Sequence, residues 1–193
     1  MARRRERESF AEGRERRAAV DDPATVLEAA ARFLEARSRS TAEVRRRLGR
    51  AGYRPELVEG AIARMIELGL LDDEAFGRAW VESRDRARPR GEIALRRELA
   101  LKGVDRAVVD ELLEERRSPG GVLPEGDGVD LEAARRLLAR NERSLARVAD
   151  PRQRRQRAYA LLARNGFDPE TCREAAAEMI AAAEEADVDD EEG

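Results

Sequence analysis

Leu99–Ala100–Leu101–Lys102–Gly103–Val104 closes a helical stretch near the middle of the chain. The same pattern stands twice more, at Leu48–Gly49–Arg50–Ala51–Gly52–Tyr53 and at Leu162–Ala163–Arg164–Asn165–Gly166–Phe167. In each copy an apolar-periodic segment ends on Gly, an apolar residue follows, and a second periodic segment begins. Glycine suits that stop because the left-handed residue that closes a helix penalises a Cβ. One helical module written three times predicts a repeat protein. A repeat with no catalytic cluster predicts a binding surface rather than a reaction centre.

Around the first copy, Val26, Ala30, Phe33 and Leu34 share one side of a helix that should run to about Arg37. Ser40 with Glu43 forms a capping box for the next helix, whose seam is Val44, Leu48 and Ala51. Pro55 stands in the first turn of a third helix with a stripe of Leu57, Val58, Ala61, Ile62, Met65 and Ile66, ended by Gly69. Shifting by 47 lays Phe33–Leu34 on Trp80–Val81, and shifting by 51 lays Val44 on Leu95, Leu48 on Leu99 and Gly52 on Gly103. Val108, Val109, Leu112 and Leu113 complete that second module. In the third, Asp130 should cap a helix with Leu131, Ala134, Leu137 and Leu138. Asp150–Pro151 and Asp168–Pro169 have the form of helix starts, and Ala158, Leu162, Phe167, Cys172, Ala176 and Ile180 fill the seams.

No stretch alternates with the period of a strand, so the fold class is all-α: nine helices in three tandem three-helix repeats, forming an elongated, curved array. The expected boundaries are an Arg/Glu-rich disordered leader over 1–23, repeats over 24–70 and 71–117, a Gly/Pro-rich flexible linker over 118–129, a third repeat over 130–183, and an acidic disordered tail over 184–193.

Composition narrows function by exclusion. The 193 residues hold one cysteine, Cys172, and no histidine, so a disulfide, a Cys/His metal site and histidine acid–base chemistry are all out of reach of this chain alone. No apolar run approaches the roughly 20 residues a membrane helix needs. Charged residues make up 41% and aromatics 4%, which suits thin helical layers with wide solvated faces. The formal charge of −3 hides an uneven distribution, because the seven carboxylates of 184–192 leave the rest of the chain at +4. All the basic residues but Lys102 are arginine, whose planar fork pairs with phosphate or carboxylate.

Basic residues recur in equivalent slots. The candidates are Arg46 and Arg50 in the first repeat, Arg84, Arg86, Arg88, Arg90, Arg96, Arg97 and Lys102 in the second, and Arg154, Arg157 and Arg164 in the third. Such a strip follows a phosphate backbone or an acidic protein groove, or it is an ordinary solvated face. Asp72–Asp73–Glu74 reads as a helix cap rather than a metal trio, Phe76 and Trp80 as module core, and Cys172 as an inert core thiol. There is no phosphate-binding loop, HExxH motif or nucleophile elbow. No catalytic residue, metal, cofactor or small-molecule substrate is expected.

Ala30–Ala31–Arg32–Phe33–Leu34–Glu35–Ala36–Arg37–Ser38–Arg39–Ser40, then Glu43–Val44, Leu48 and Gly52–Tyr53, resembles the opening of the RecX family of RecA regulators. Gly69–Leu70–Leu71–Asp72–Asp73–Glu74–Ala75–Phe76, Ser83–Arg84, Arg97–Glu98–Leu99 and Lys102–Gly103–Val104 are similar to that family's central signature in order and spacing. The likeness covers Val26 to Arg117 well and Leu131 to Ile180 more loosely. The turn 87–91 departs from the family's glycine-rich form, the linker is longer, and the leader and tail have no counterpart role.

The resemblance implies a cytoplasmic, non-enzymatic modulator of RecA, generally an inhibitor, acting in DNA repair, homologous recombination and the SOS response. Family members have three tandem three-helix repeats. They bind in the groove of the RecA–DNA filament and reduce its ATPase, recombinase and coprotease activities. Partners would be RecA and its DNA filament, with single- or double-stranded DNA touched directly as a further prospect. The alternatives are a general DNA-binding helical-repeat protein acting on recombination indirectly, and a helical scaffold with affinity for neither. The acidic tail could compete for the arginine strip or serve only solubility.

Overall fold

A computed structural model of the protein describes the backbone of residues 10–118 and 128–191, and the side chains of 11–118 and 128–182. The described residues form ten α-helices and no strand: α1 Phe10–Ala18, α2 Pro23–Leu34, α3 Thr41–Ala51, α4 Pro55–Glu67, α5 Asp73–Ala87, α6 Glu92–Lys102, α7 Arg106–Arg117, α8 Val129–Leu145, α9 Pro151–Arg164 and α10 Pro169–Glu191. Helices α2–α4, α5–α7 and α8–α10 are the three repeats. The chain divides into two compact units, one reaching to Phe76 and including Lys102–Asp105, the other made of Gly77–Leu101 and the residues from Arg106 onward.

Local signals in the sequence set most helix ends. Ser40 Oγ accepts from Glu43 N–H at 3.2 Å while the Glu43 carboxylate accepts from Ser40 N–H at 3.4 Å, the expected capping box. Gly52, Gly103 and Gly166 have positive φ and follow the second helix of each repeat, and Gly69, also at positive φ, follows the third helix of the first. Asp22, Asp150 and Asp168 each accept from backbone N–H groups two or three residues on, ahead of a proline in the first turn.

The first repeat buries Val26, Ala30, Val44, Leu48, Val58, Ala61, Ile62, Met65 and Leu71 as one cluster. The second buries Val81, Leu95, Leu99, Val109, Leu112 and Leu113. The third is built on smaller groups, with Ala133, Ala134, Ala158, Cys172, Ala175 and Ala176 around Leu131, Leu138, Leu162 and Phe167. Each buried leucine stabilises its repeat by about 1.5–3 kcal/mol relative to exposure, so three thin cores suffice without a large aromatic core.

Each unit contains the same joint between successive repeats. In the first, Ser40 Oγ donates to Lys102 O at 2.6 Å, Lys102 Nζ lies 3.0 Å from Glu43, and a Cβ on Gly103 would overlap Ala42. In the second, Gly91 N–H donates to Asn165 O and Ile93 N–H to Gly166 O, each at 3.1 Å, and a Cβ on Gly166 would overlap Ala94. Positive φ and close backbone approach therefore coincide at Gly103 and Gly166.

The structure corrects several expectations. The leader does not wait until Ala24 to become ordered. Helix α1 packs on the end of α3, where the Arg14 backbone closes on Gly52, and the Arg17 guanidinium donates to Ala51 O at 3.2 Å, satisfying a carbonyl at the end of α3. Helix α2 stops at Leu34 rather than Arg37. Asp130 does not cap α8, whose N-cap is Gly128; its carboxylate is drawn instead to Glu92 N–H and Arg116. The tail expected to be disordered continues α10 as far as Glu191, which its run of strong helix formers, Ala and Glu, favours. Of the expected linker, residues 119–127 lie outside the described residues, as do residues 1–9 of the leader.

Candidate binding surface

The predicted basic strip separates into arginines that hold the fold together and arginines that face water. Glu98, only 20% exposed, accepts from Arg84 Nε at 2.6 Å and from Trp80 Nε1 at 2.8 Å, with Arg90 3.4 Å away. The Arg84 guanidinium also lies over the Trp80 ring, 4.3 Å from its centroid. Trp80 is thus half-buried and held edge and face by polar groups, not enclosed in the module core, while Phe76 is buried as expected. Arg90 also donates to the Asn165 amide oxygen.

Arg96 is bound by Asp110 and Glu92, which raise its pKa further above the ordinary arginine value, and Asp110 is held below the usual carboxylate range by the same pair. Lys102 is held by Glu43. Burial opposes ionisation of that carboxyl, but the Lys102 and Ser40 N–H contacts outweigh burial and lower its pKa. Arg154 Nε donates to Val148 O at 3.0 Å, and Arg46 reaches Lys102 O at 3.4 Å. Arg84, Arg90, Arg96, Lys102 and Arg154, all candidates for the basic strip, are thus engaged within the chain. Each satisfies a carboxylate, an amide or a carbonyl of its own chain.

Arg50, Arg86, Arg88, Arg97, Arg157 and Arg164 are exposed, and their side chains have no partner among the described residues. These are the expected candidates that the fold leaves available. The most deeply held cation was not among the candidates. Arg116, 6% exposed, donates to Asp85 at 2.8 Å and to Asp130 at 2.5 Å, and the two acids outweigh burial in raising its pKa. Among the described residues no group of acids could hold a metal ion; Asp72 caps α5 by accepting from Ala75 N–H at 2.9 Å.

The repeats align residue by residue at one further slot. Arg45 in α3 pairs with Glu59 in α4 at 2.6 Å, and 51 residues on Arg96 in α6 pairs with Asp110 in α7. A shift of 63, which lays Gly103 on Gly166, places Tyr159 on Arg96, Arg173 on Asp110 and Arg155 on Glu92. An arginine between two acids becomes a tyrosine between two arginines. Tyr159, Arg155 and Arg173 line a shallow groove of about 300 Å³ with Arg152, Gln156 and Ala176. Arg173 escaped the reading of basic runs because it is isolated in sequence; laying the third repeat on the second reveals it.

Comparison with known proteins gives matches to three descriptions of one family. The first three-helix domain of RecX matches residues 27–65, the second 72–113 and the third 129–176. The Regulatory protein RecX of Prosthecochloris aestuarii is 32% identical over 159 residues, covering 82% of this chain and 96% of the relative. That of Mycolicibacterium vanbaalenii is 32% identical over 146 residues, covering 71% and 72%. In fold, the crystal structure of RecX from Lactobacillus salivarius superposes with a TM-score of 0.68 at 18% identity over 82% of this chain and 96% of that one. A crystal structure of a regulatory protein RecX gives 0.64 at 21% identity, covering 77% and 68%.

Proposed function

The chain belongs to the RecX family of regulatory proteins, and on that premise we propose that it modulates the RecA recombinase in the cytoplasm, acting as an inhibitor that binds in the groove of the RecA–DNA filament. The reading is carried by one observation: after the fold has used its own arginines, Arg50, Arg86, Arg88, Arg97, Arg157 and Arg164 still face solvent without an acidic partner. A filament of protein and DNA presents phosphates and carboxylates along its groove, and guanidinium forks match both. Attachment through several small modules strengthens binding through effective concentration, with no single strong contact required. Arg84, Arg96 and Lys102 support this surface by fixing α5 and α6 rather than by touching the partner.

The test is the ATPase rate of RecA on single-stranded DNA with and without this protein. The rate falls when the protein is added, and an Arg86→Glu, Arg88→Glu, Arg97→Glu variant, altered only at exposed positions, fails to lower it while keeping its helix content. An unaltered ATPase rate with the unmodified chain overturns the reading. Capture of RecA in the absence of DNA supports it, whereas binding to bare DNA without any capture of RecA favours a general DNA-binding protein instead.

A further inference from the structure

We propose that the α9–α10 face of the third repeat is a binding site for single-stranded nucleic acid, in which Arg152, Arg155 and Arg173 hold phosphates and Tyr159 offers its ring to a base. The inference goes beyond the RecA reading, since no surface of RecA enters it, and it rests on a charge inversion inside the repeat. In the second repeat this slot is closed by its own acids: Glu92 and Asp110 take up Arg96. In the third repeat the positions of both acids are occupied by arginines, and the central cation has been replaced by an aromatic ring. The slot that neutralises itself in the second repeat carries positive charge without a paired acid in the third.

Geometry supports a ligand rather than a chance patch. Arg152 and Arg155 are one turn apart on α9, Tyr159 is the next turn along, and Arg173 comes across from α10 to the same groove. No acid lines that groove, and the three guanidinium groups are exposed with no partner among the described residues. Glu170 and Glu174, the acids beside Arg173 on α10, line a different cavity together with Asp168.

Tyr159 packs part of its ring on the core of the third repeat and lines the groove with the rest. A carboxylate peptide would satisfy the arginines but would leave that open part of the ring and the Gln156 amide without a matching group. A nucleotide satisfies all of them: phosphates for the forks, a base face for Tyr159, and base-edge or sugar atoms for an amide that both donates and accepts. Stacking needs a base released from pairing, so the class is a single strand.

The experiment is fluorescence anisotropy of a labelled 20-nucleotide oligothymidine with the full chain across a range of salt, without RecA. The unmodified chain binds, and Arg155→Glu with Arg173→Glu weakens binding by at least about tenfold. That double variant also makes the log–log salt dependence shallower by roughly 1.4, about 0.7 for each lost phosphate contact on a single strand. Tyr159→Leu weakens binding by about tenfold, as loss of one stacked base does, and leaves the salt slope unchanged. Because Arg155 and Arg173 are exposed, their variant keeps its helix content even if Tyr159→Leu lowers stability. The proposal is overturned by unmodified affinity in the arginine variant, by equal affinity for a duplex of the same length, or by a glutamate 20-mer displacing the strand as well as unlabelled oligothymidine does. Failure here leaves the RecA ATPase result standing, and failure there leaves this one.

Discussion

The Asp73 carboxylate, at the start of α5, accepts a 2.8 Å hydrogen bond from the N–H of Thr41, the first residue of α3. The following repeat thus adds an acceptor to the first turn of the preceding repeat's middle helix, beside that helix's own Ser40–Glu43 box. Asp130 does the same for Glu92 N–H at 2.9 Å and also holds the buried Arg116. The two aspartates thus share one task, and Asp130 has a second.

Asp73→Ala leaves Ser40 capping α3 and removes only the acceptor of Thr41 N–H, which costs about 1 kcal/mol. Asp130→Ala loses a cap and half of a buried ion-pair arrangement, leaving Arg116 with Asp85 alone, for a loss of about 3 kcal/mol. Urea denaturation of the two variants should therefore show a clearly larger drop in midpoint for Asp130→Ala. Equal losses would show that Arg116 does not depend on Asp130.

Gly103→Ala and Gly69→Ala should differ for a steric reason. Both glycines have positive φ, but nothing lies within 4 Å of a Cβ built on Gly69, whereas one on Gly103 overlaps Ala42. Gly69→Ala then costs only the left-handed strain of about 1–2 kcal/mol, and Gly103→Ala costs more because the joint must also open. Thermal melting of the two variants, compared by circular dichroism, tests the order.

Cys172 is buried in the third repeat, and burial, aided by the nearby Asp168 charge, pushes its thiol up to about 11. The thiolate is the reactive form, so the native chain at pH 8 should react with a disulfide reagent far more slowly than the chain in guanidinium. Fast labelling of the folded protein would contradict the buried position.

Acid should weaken the third repeat through Asp168. Burial opposes its ionisation, but the Thr171 hydroxyl and the N–H groups of Thr171 and Glu170 outweigh burial and hold its pKa below 3.8. The unfolded chain then binds a proton more readily than the folded one. This contribution to stability is full above the unfolded pKa and is lost as pH falls through the lowered folded value. Asp168→Asn keeps a capping side chain but cannot titrate, so its urea midpoint should fall less steeply between about pH 5 and pH 3 than that of the unmodified chain.

Most of the fold was legible because its signals are local. Capping box, cap-plus-proline and terminal glycine each act within a few residues, and Ser40, Asp150 and Gly103 announce their helices without reference to anything distant. Asp22–Pro23 carries the same signal as Asp150–Pro151, yet helix α1 before it could not be read. Its order depends on Arg14 meeting Gly52 and on Arg17 reaching Ala51 O, contacts made across more than thirty residues. The candidate surface was legible in composition but not in availability. Arg96 and Arg97 are neighbours in sequence and look alike there; a turn of helix gives one to Asp110 and the other to water.

The borrowed caps give the series a direction. Helices α3 and α6 each donate a first-turn N–H to a carboxylate of the next repeat, in α3 over and above its own Ser40–Glu43 box, whereas the first turn of α9 is closed by its own Asp150, which accepts from Arg152 N–H at 2.9 Å. A change at Asp73 or Asp130 is therefore felt at the start of a helix 32 or 38 residues earlier in the chain, so that damage to one module loosens the module written before it.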